Sequence, residues 1–231
     1  MRLTAIPTYK IYLNKDAVQR RHIYHSLKRL FGFLFALIGI ILLSPFFLII
    51  AIKIKSYDKG PVIYKQIRLG LNGKEFVFYK FRSMVVGADE ILHKFEDDNQ
   101  INGAMFKFKD DPRITPFGRF LRKHSFDELP QLVNVLKGDM CLIGPRPPLP
   151  NEVKKYTDYD MQRLYVRPGC SGLWQVTYRN DIDFKDMVQQ DLYYIDNATL
   201  RQDLRLIFRT IHVMIWPNGM YKTDTPTHFS K

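Results

Sequence analysis

The sequence predicts an α+β protein: a mainly helical domain with a β-hairpin and small strands, anchored to a membrane by an N-terminal re-entrant helix and by interfacial amphipathic helices. Three observations carry this reading. Residues 30–52, LFGFLFALIGIILLSPFFLIIAI, contain no charged side chain. Asn72-Gly73 separates two short runs suited to strands. Beyond Pro130, apolar residues recur at helical spacing.

The apolar run is long enough to cross a hydrocarbon core of about 30 Å as a straight helix. It is too long for the core of a signal peptide, and no small-residue cleavage site follows it. Two features argue against a plain span. Pro45, after Ser44, deletes a backbone hydrogen bond and bends a helix. Both flanks are basic, with Arg20, Arg21, Lys28 and Arg29 before and Lys53, Lys55, Lys59 and Lys65 after. Positive charge marks the cytoplasmic side, so a helix that breaks at Ser44-Pro45, dips in and returns satisfies both. A kinked single-pass helix competes with it.

This divides the chain into a basic extension over 1–29, the re-entrant membrane helix over 30–54, a cytoplasmic domain over 55–217 and a tail over 218–231. The extension reads as polar, weakly patterned and lying on the surface. Residues 62–69 and 74–82 read as strands joined at Asn72-Gly73, whose residues tolerate positive φ. Residues 86–110 read as a helix followed by a loop. Phe117 and Leu121, with Arg119 and Arg122, suit a short amphipathic helix. Leu129, Leu132, Val133 and Leu136 follow the i, i+3, i+4, i+7 pattern, which Gly138 ends. Residues 140–143 form a short strand leading into the rigid turn Gly144-Pro-Arg-Pro-Pro148, and Arg167-Pro-Gly169 opens another loop. Phe184, Met187, Val188, Leu192 and Ile195 mark one helix. Leu200, Leu204, Ile207, Phe208, Ile211 and Ile215 mark another, stopped by Pro217. These last helices pack as core or lie at the membrane interface, where Tyr193, Tyr194 and Trp216 are at home.

Lys and Arg number 35 against 23 Asp and Glu, a formal charge of +12 in 231 residues. Such an excess points to nucleic acid, an acidic membrane surface or phosphate-bearing substrates. Cys141 and Cys170 form no C-x-x-C pair, and two buried thiols in a reducing cytoplasm fit them better than a disulfide. The six His are scattered, which argues against a His-built zinc site. No P-loop or G-x-G-x-x-G motif occurs.

The sharpest local feature is Asp127-Glu128, just after Arg122-Lys-His-Ser125 and just before Leu129-Pro130. Ser125-x-x-Glu128 fits a capping box. With Ser125 as the cap, however, Pro130 would sit fifth in the helix and its ring would meet the carbonyl of Phe126. The helix therefore begins near Pro130, and both carboxylates stand at its mouth among cations, where they stay ionised at neutral pH. An ionised carboxylate can be a nucleophile, and its neighbour can hold a divalent cation. Lys80 and Arg82, at a strand end, and Arg146, held between two prolines, are phosphate-binding candidates. Arg suits planar phosphate recognition.

Tyr79-Lys-Phe-Arg-Ser-Met84, Asp111-Pro-Arg-Ile-Thr115, Gly118-Arg-Phe-Leu-Arg122, Ser125-Phe-Asp-Glu-Leu-Pro-Gln131, Asn134-Val-Leu-Lys-Gly-Asp-Met140, Gly144-Pro-Arg-Pro147 and Arg167-Pro-Gly169 occur in order. In order and spacing they resemble the bacterial sugar transferases, the monotopic phosphoglycosyl transferases that start lipid-linked glycan assembly. The resemblance runs from the apolar segment to Trp216. It implies a two-step transfer from a UDP-sugar to undecaprenyl phosphate at the bacterial inner membrane, with the catalytic domain facing the cytoplasm. Asp127 matches the family nucleophile, and Glu128 the Mg²⁺ ligand. Lys80, Arg82, Arg122, Arg146 and Arg167 fall in the motifs expected to meet substrate, Arg146 at a position associated with the nucleotide. The family's Ser-Pro break in a re-entrant helix matches Ser44 and Pro45. Cys141 stands where relatives often carry Ser, and Cys170-Ser171-Gly172 where they carry Ile-Thr-Gly, so a substrate loop can differ.

A basic, membrane-tethered nucleic-acid binder would share the charge and the anchor but leave Asp127-Glu128 and the Pro-Arg-Pro turn without a purpose, so no nucleic-acid partner is expected. A non-catalytic scaffold would tolerate loss of Asp127, yet the acidic pair is intact. The identity of the sugar and the oligomeric state, a homo-oligomer included, stay open.

Overall fold

A computed structural model of the chain describes residues 9–88, 111–178 and 182–217. Most of the expected 86–110 helix and loop, and the 218–231 tail, lie outside the described residues.

After a short helix α1 (Lys15–Gln19), helix α2 runs His22–Asp58, 37 residues. It starts eight residues before the apolar run, and it is the one helix among the described residues long and apolar enough to cross a membrane. The helical backbone continues through Ser44-Pro45, so the expected break is a proline within one helix rather than a gap between two. The Pro45 ring leaves the Ile41 carbonyl without its usual donor. Ser44 Oγ donates to that carbonyl at 2.8 Å. Leu30, Phe31, Leu34, Ile41, Leu42, Leu48 and Ile52 are exposed on α2, whereas Gly32, Ala36, Ile50 and Ile54 are buried against the rest of the protein.

Strands β1 (Ile63–Leu69) and β2 (Glu75–Phe81) pair antiparallel, Ile63 opposite Phe81 and Leu69 opposite Glu75. Asn72 and Gly73 take φ of 55° and 77° at the turn, the conformation that made Asn-Gly readable as a hairpin. Helix α3 spans Pro116–Lys123, capped by the Thr115 side chain. Helix α4, Gln131–Lys137, stops at Gly138, whose φ is 90°. It packs on α2, where Arg29 donates to the α4 carbonyls of Val135 and Leu136. A buried Asn134 ties α4 to β2 by accepting from Tyr79 N at 3.2 Å and donating to the Val77 carbonyl at 2.6 Å.

Strand β3 (Cys141–Ile143) pairs in parallel with β4 (Gly169–Ser171), so Arg167-Pro168-Gly169 leads into a strand where a loop was expected. The two strands meet through glycines. A Cβ on Gly169 would lie 2.0 Å from Gly144 N, so any larger residue would force them apart. Cys141 and Cys170 are free thiols.

Helices α5 (Pro150–Val153), α6 (Asp158–Met161), α7 (Leu173–Thr177), α8 (Phe184–Asp196) and α9 (Leu200–Ile215) complete the domain. Ile143, Leu173, Val188, Leu192, Ile195 and Leu206 form the largest core cluster. Ile11 and Val18 are buried in it too, so the basic N-terminal stretch is tied into the core rather than merely lying over it. Helix α8 packs as core. Helix α9 buries Asp203 and Leu206 but exposes Leu204, Phe208, Ile211 and Ile215, the face an interfacial helix needs. Inside the domain, Arg163 donates to Asp191 Oδ2 through Nε at 2.8 Å and Nη2 at 2.6 Å, both side chains almost wholly buried.

Candidate active site

Asp127 and Glu128 lie in a single 3₁₀ turn, Phe126–Glu128, between α3 and α4. Ser125 precedes it with φ 57° and no capping hydrogen bond, so the capping-box reading fails. Pro130 takes φ −61° at the mouth of α4, where a proline is welcome, and the pair sits at that mouth as the sequence implied. Phe126 and Leu129 pack on the cluster of Ile50, Ile54, Phe81 and Leu121, which Phe46 and Phe47 of α2 also join, with the Phe46 and Phe126 rings edge to face at 5.1 Å. The turn is thus seated against the apolar helix one residue beyond Pro45.

Lys80 projects from β2 into this corner. Its Nζ donates to Glu128 Oε1 at 2.7 Å and lies 3.9 Å from Asp127 Oδ2. Arg146, in the Gly144-Pro-Arg-Pro147 turn, reaches the same Glu128 oxygen at 3.5 Å. Burial would raise the Glu128 carboxyl, but Lys80, Arg146 and Arg68 outweigh it and hold the group down at about 2. Asp127 is only 6% exposed. There burial wins over Lys80 and Arg122, and the carboxyl titrates above the usual aspartate range. Both carboxylates were expected to be held ionised by their cations. The cations hold Glu128 down, whereas at Asp127 burial, with the neighbouring Glu128 charge, outweighs them and shifts the carboxyl upward.

The other basic candidates separate. Arg122 donates to Ser83 Oγ at 2.9 Å, close enough for its charge to act on Asp127. Arg82 is ion-paired with Asp58 at the end of α2 and not with the acidic pair. Arg167 donates through Nε to the Gly138 carbonyl at 3.1 Å, and joins a different basic group with Arg21 and Lys28. Arg68, which the sequence reading passed over, is buried behind Arg146, donates to the Pro147 carbonyl at 2.9 Å, and is lowered to about 10 by burial and by Arg146. Strand alternation offered a signal. With the hairpin register known, Arg68, Gln66 and Tyr64 face the same way as Phe76, Phe78 and Lys80.

Among the described residues no group of three or more His, Cys, Asp or Glu side chains converges. Two adjacent carboxylates do not make an all-protein cage, but they suit Mg²⁺, which keeps several waters and takes one or two carboxylates with substrate phosphates. The donor set fits an ion brought together with a diphosphate.

The bacterial sugar transferase family model matches residues 23–217. The galactosyl transferase CpsE of Streptococcus agalactiae is 44% identical over 83% of this chain and 43% of its own length. The undecaprenyl-phosphate galactose phosphotransferase of Salmonella typhimurium is 44% identical over 84% of this chain and 42% of its own. The chain therefore spans less than half the length of these two relatives. The exopolysaccharide production protein ExoY of Sinorhizobium fredii is 39% identical over 84% of this chain and 88% of its own length. A match over nearly the whole chain leaves one assignment: the chain belongs to the bacterial sugar transferase family.

Proposed function

We propose that this chain transfers a sugar 1-phosphate from a UDP-sugar to undecaprenyl phosphate, through a phospho-sugar carried on Asp127. The observation that carries this reading is the pairing of a buried Asp127 with a Glu128 already gripped by Lys80 and Arg146, in a turn seated against the apolar helix.

In the first step an Asp127 oxygen attacks the sugar-bearing phosphorus. The bond from that phosphorus to the bridging oxygen breaks, and UMP leaves with the electron pair. In the second, an oxygen of undecaprenyl phosphate attacks the same phosphorus and Asp127 departs as a carboxylate. Burial of Asp127 strips water from the nucleophile and keeps water from competing for the acyl phosphate. Lys80 and Arg146 supply positive charge where the diphosphate would lie, and Arg68 backs the Arg146 turn. Glu128 would hold Mg²⁺, which when bound neutralises the diphosphate and eases departure of UMP.

A cytoplasmic UDP-sugar and a membrane-held acceptor require the domain to face the cytoplasm at the inner membrane. A re-entrant α2 with both ends on that side meets this need. The Ser44 hydroxyl on the Ile41 carbonyl supports it, since a bent helix in lipid must still satisfy its freed carbonyl.

The relatives' names include a galactose phosphotransferase and an N-acetylgalactosaminephosphotransferase, so UDP-galactose and UDP-N-acetylgalactosamine head the panel to be tried. The test offers each UDP-sugar with undecaprenyl phosphate to the full chain in detergent and follows UMP. Release of UMP with one sugar supports the reading. No release with any UDP-sugar would overturn it.

A further inference from the structure

A second basic site lies away from the acidic pair, at the foot of the apolar helix. Arg21 just before α2, Tyr24, His25 and Lys28 from its first turns, Tyr194 from α8 and Arg167 from the approach to β4 line one cavity of about 450 Å³, open mouth included. None of Lys80, Asp127, Glu128 or Arg146 lines it. The rest of its wall is aliphatic apart from Cys141.

Its cations are not equivalent. Lys28 is fully committed: its Nζ meets Asp203 Oδ2 at 3.0 Å, Tyr24 Oη at 2.9 Å and Tyr194 Oη at 2.5 Å. That network joins α2, α8 and α9 into a fixed wall. Arg21 donates Nη1 to the Ile195 carbonyl at 3.1 Å and Nη2 to the Asp196 carbonyl at 3.0 Å, which holds its guanidinium in place without a carboxylate. Arg167 spends only Nε, on the Gly138 carbonyl at 3.1 Å, and is exposed. Among the described residues neither arginine has an ion pair. Two pre-positioned guanidinium groups with uncompensated charge, beside tyrosine hydroxyls, are chemistry for a phosphate oxygen.

The depth of the cavity selects the source of that phosphate. On the same stretch of α2, Leu27, Leu30, Phe31 and Leu34 are exposed apolar residues, so the hydrocarbon boundary begins within a turn of Lys28. Arg, Lys and Tyr gather at that boundary, where lipid phosphates lie. We propose that this cavity binds the phosphate of an anionic lipid headgroup, with Arg21 and Arg167 as its charge-bearing contacts.

The site is read by binding, independently of any turnover. The full chain in non-ionic detergent is titrated calorimetrically with dihexanoyl-phosphatidylglycerol, dihexanoyl-phosphatidylcholine and sodium phosphate. The expected result is saturable binding of phosphatidylglycerol at one site, weakened on the order of tenfold or more in the Arg21→Gln/Arg167→Gln double variant. Arg21→Lys/Arg167→Lys keeps both charges and retains most of the affinity, so the site stays testable if the glutamine variant misfolds by circular dichroism. Lys154→Gln/Lys155→Gln, on an exposed stretch elsewhere, leaves binding unchanged. Undiminished binding in the folded glutamine variant, or equal affinity for phosphatidylcholine, would overturn the proposal. Inorganic phosphate binding as tightly as the lipid would overturn it in favour of a soluble phosphate.

Discussion

Lys80 Nζ lies 2.7 Å from Glu128 Oε1, although 48 residues separate them in the chain. Strand β2 and the 3₁₀ turn before α4 meet through this bond. It gives the two neighbouring carboxylates different characters, Glu128 held low and Asp127 pushed up by its own burial.

Asp127→Asn should stop UMP release and abolish any phospho-sugar adduct, a loss on the order of 10³-fold or more, because an amide is a poor nucleophile. Intact-mass spectrometry after incubation with the UDP-sugar reads the adduct. UMP release at an undiminished rate by the purified variant would remove Asp127 from its role.

Glu128→Gln should lower UMP release by roughly 10²-fold or more through lost charge stabilisation around the metal. EDTA should silence the unaltered protein and added Mg²⁺ restore it. Full activity in thoroughly chelated protein would show that no divalent cation is needed.

The same two variants should change the pH dependence of stability in opposite directions. Asp127 has a raised folded value, so its contribution is complete below its ordinary 3.8 and is lost as pH rises through the folded value. Asp127→Asn should therefore gain in melting temperature, relative to the parent, as pH rises from about 3 towards 7. Glu128 is depressed from 4.5 to about 2, so its contribution is present above 4.5 and lost as pH falls towards 2. Glu128→Gln should lose ground over that same rise. Parallel melting curves for both variants across pH would contradict the assigned environments.

Arg163→Met should destabilise the domain by about 3–5 kcal/mol, because it strands the Asp191 carboxylate in a site where its side chain is 1% exposed. Adding Asp191→Leu should recover much of the loss. Denaturant midpoints in detergent measure both. An unchanged midpoint for the single variant would mean the pair is not closed in solution.

Topology is tested with single cysteines at Lys10 and Thr225, in a background where Cys141 and Cys170 are alanine. Both should be shielded from an impermeant thiol reagent in intact cells. Replacing Ser44-Pro45 with Leu-Leu removes both the ring and the hydroxyl that meets the Ile41 carbonyl, and should favour a straight span that exposes Lys10→Cys. Labelling of Lys10→Cys with Ser44-Pro45 intact would mean that α2 crosses the bilayer.

Much of the fold was legible because neighbouring residues write it. Asn72-Gly73 accepts positive φ, Gly138 ends α4 in the same way, Pro130 sets the helix mouth behind the acidic pair, and an uncharged run of apolar residues cannot be soluble surface. The ordered motifs were enough to point to the family. Three-dimensional packing supplied what depends on residues far apart: the burial of Asp127, the capture of Arg82 by Asp58, the transfer of Arg167 to the Arg21 group, the place of Arg68 behind the Pro-Arg-Pro turn, and the anchoring of Ile11 and Val18 in the core. Turns and helix ends follow from local backbone preference. Burial and charge pairing are set by which distant surfaces exclude water together, and a carboxylate's character follows from them.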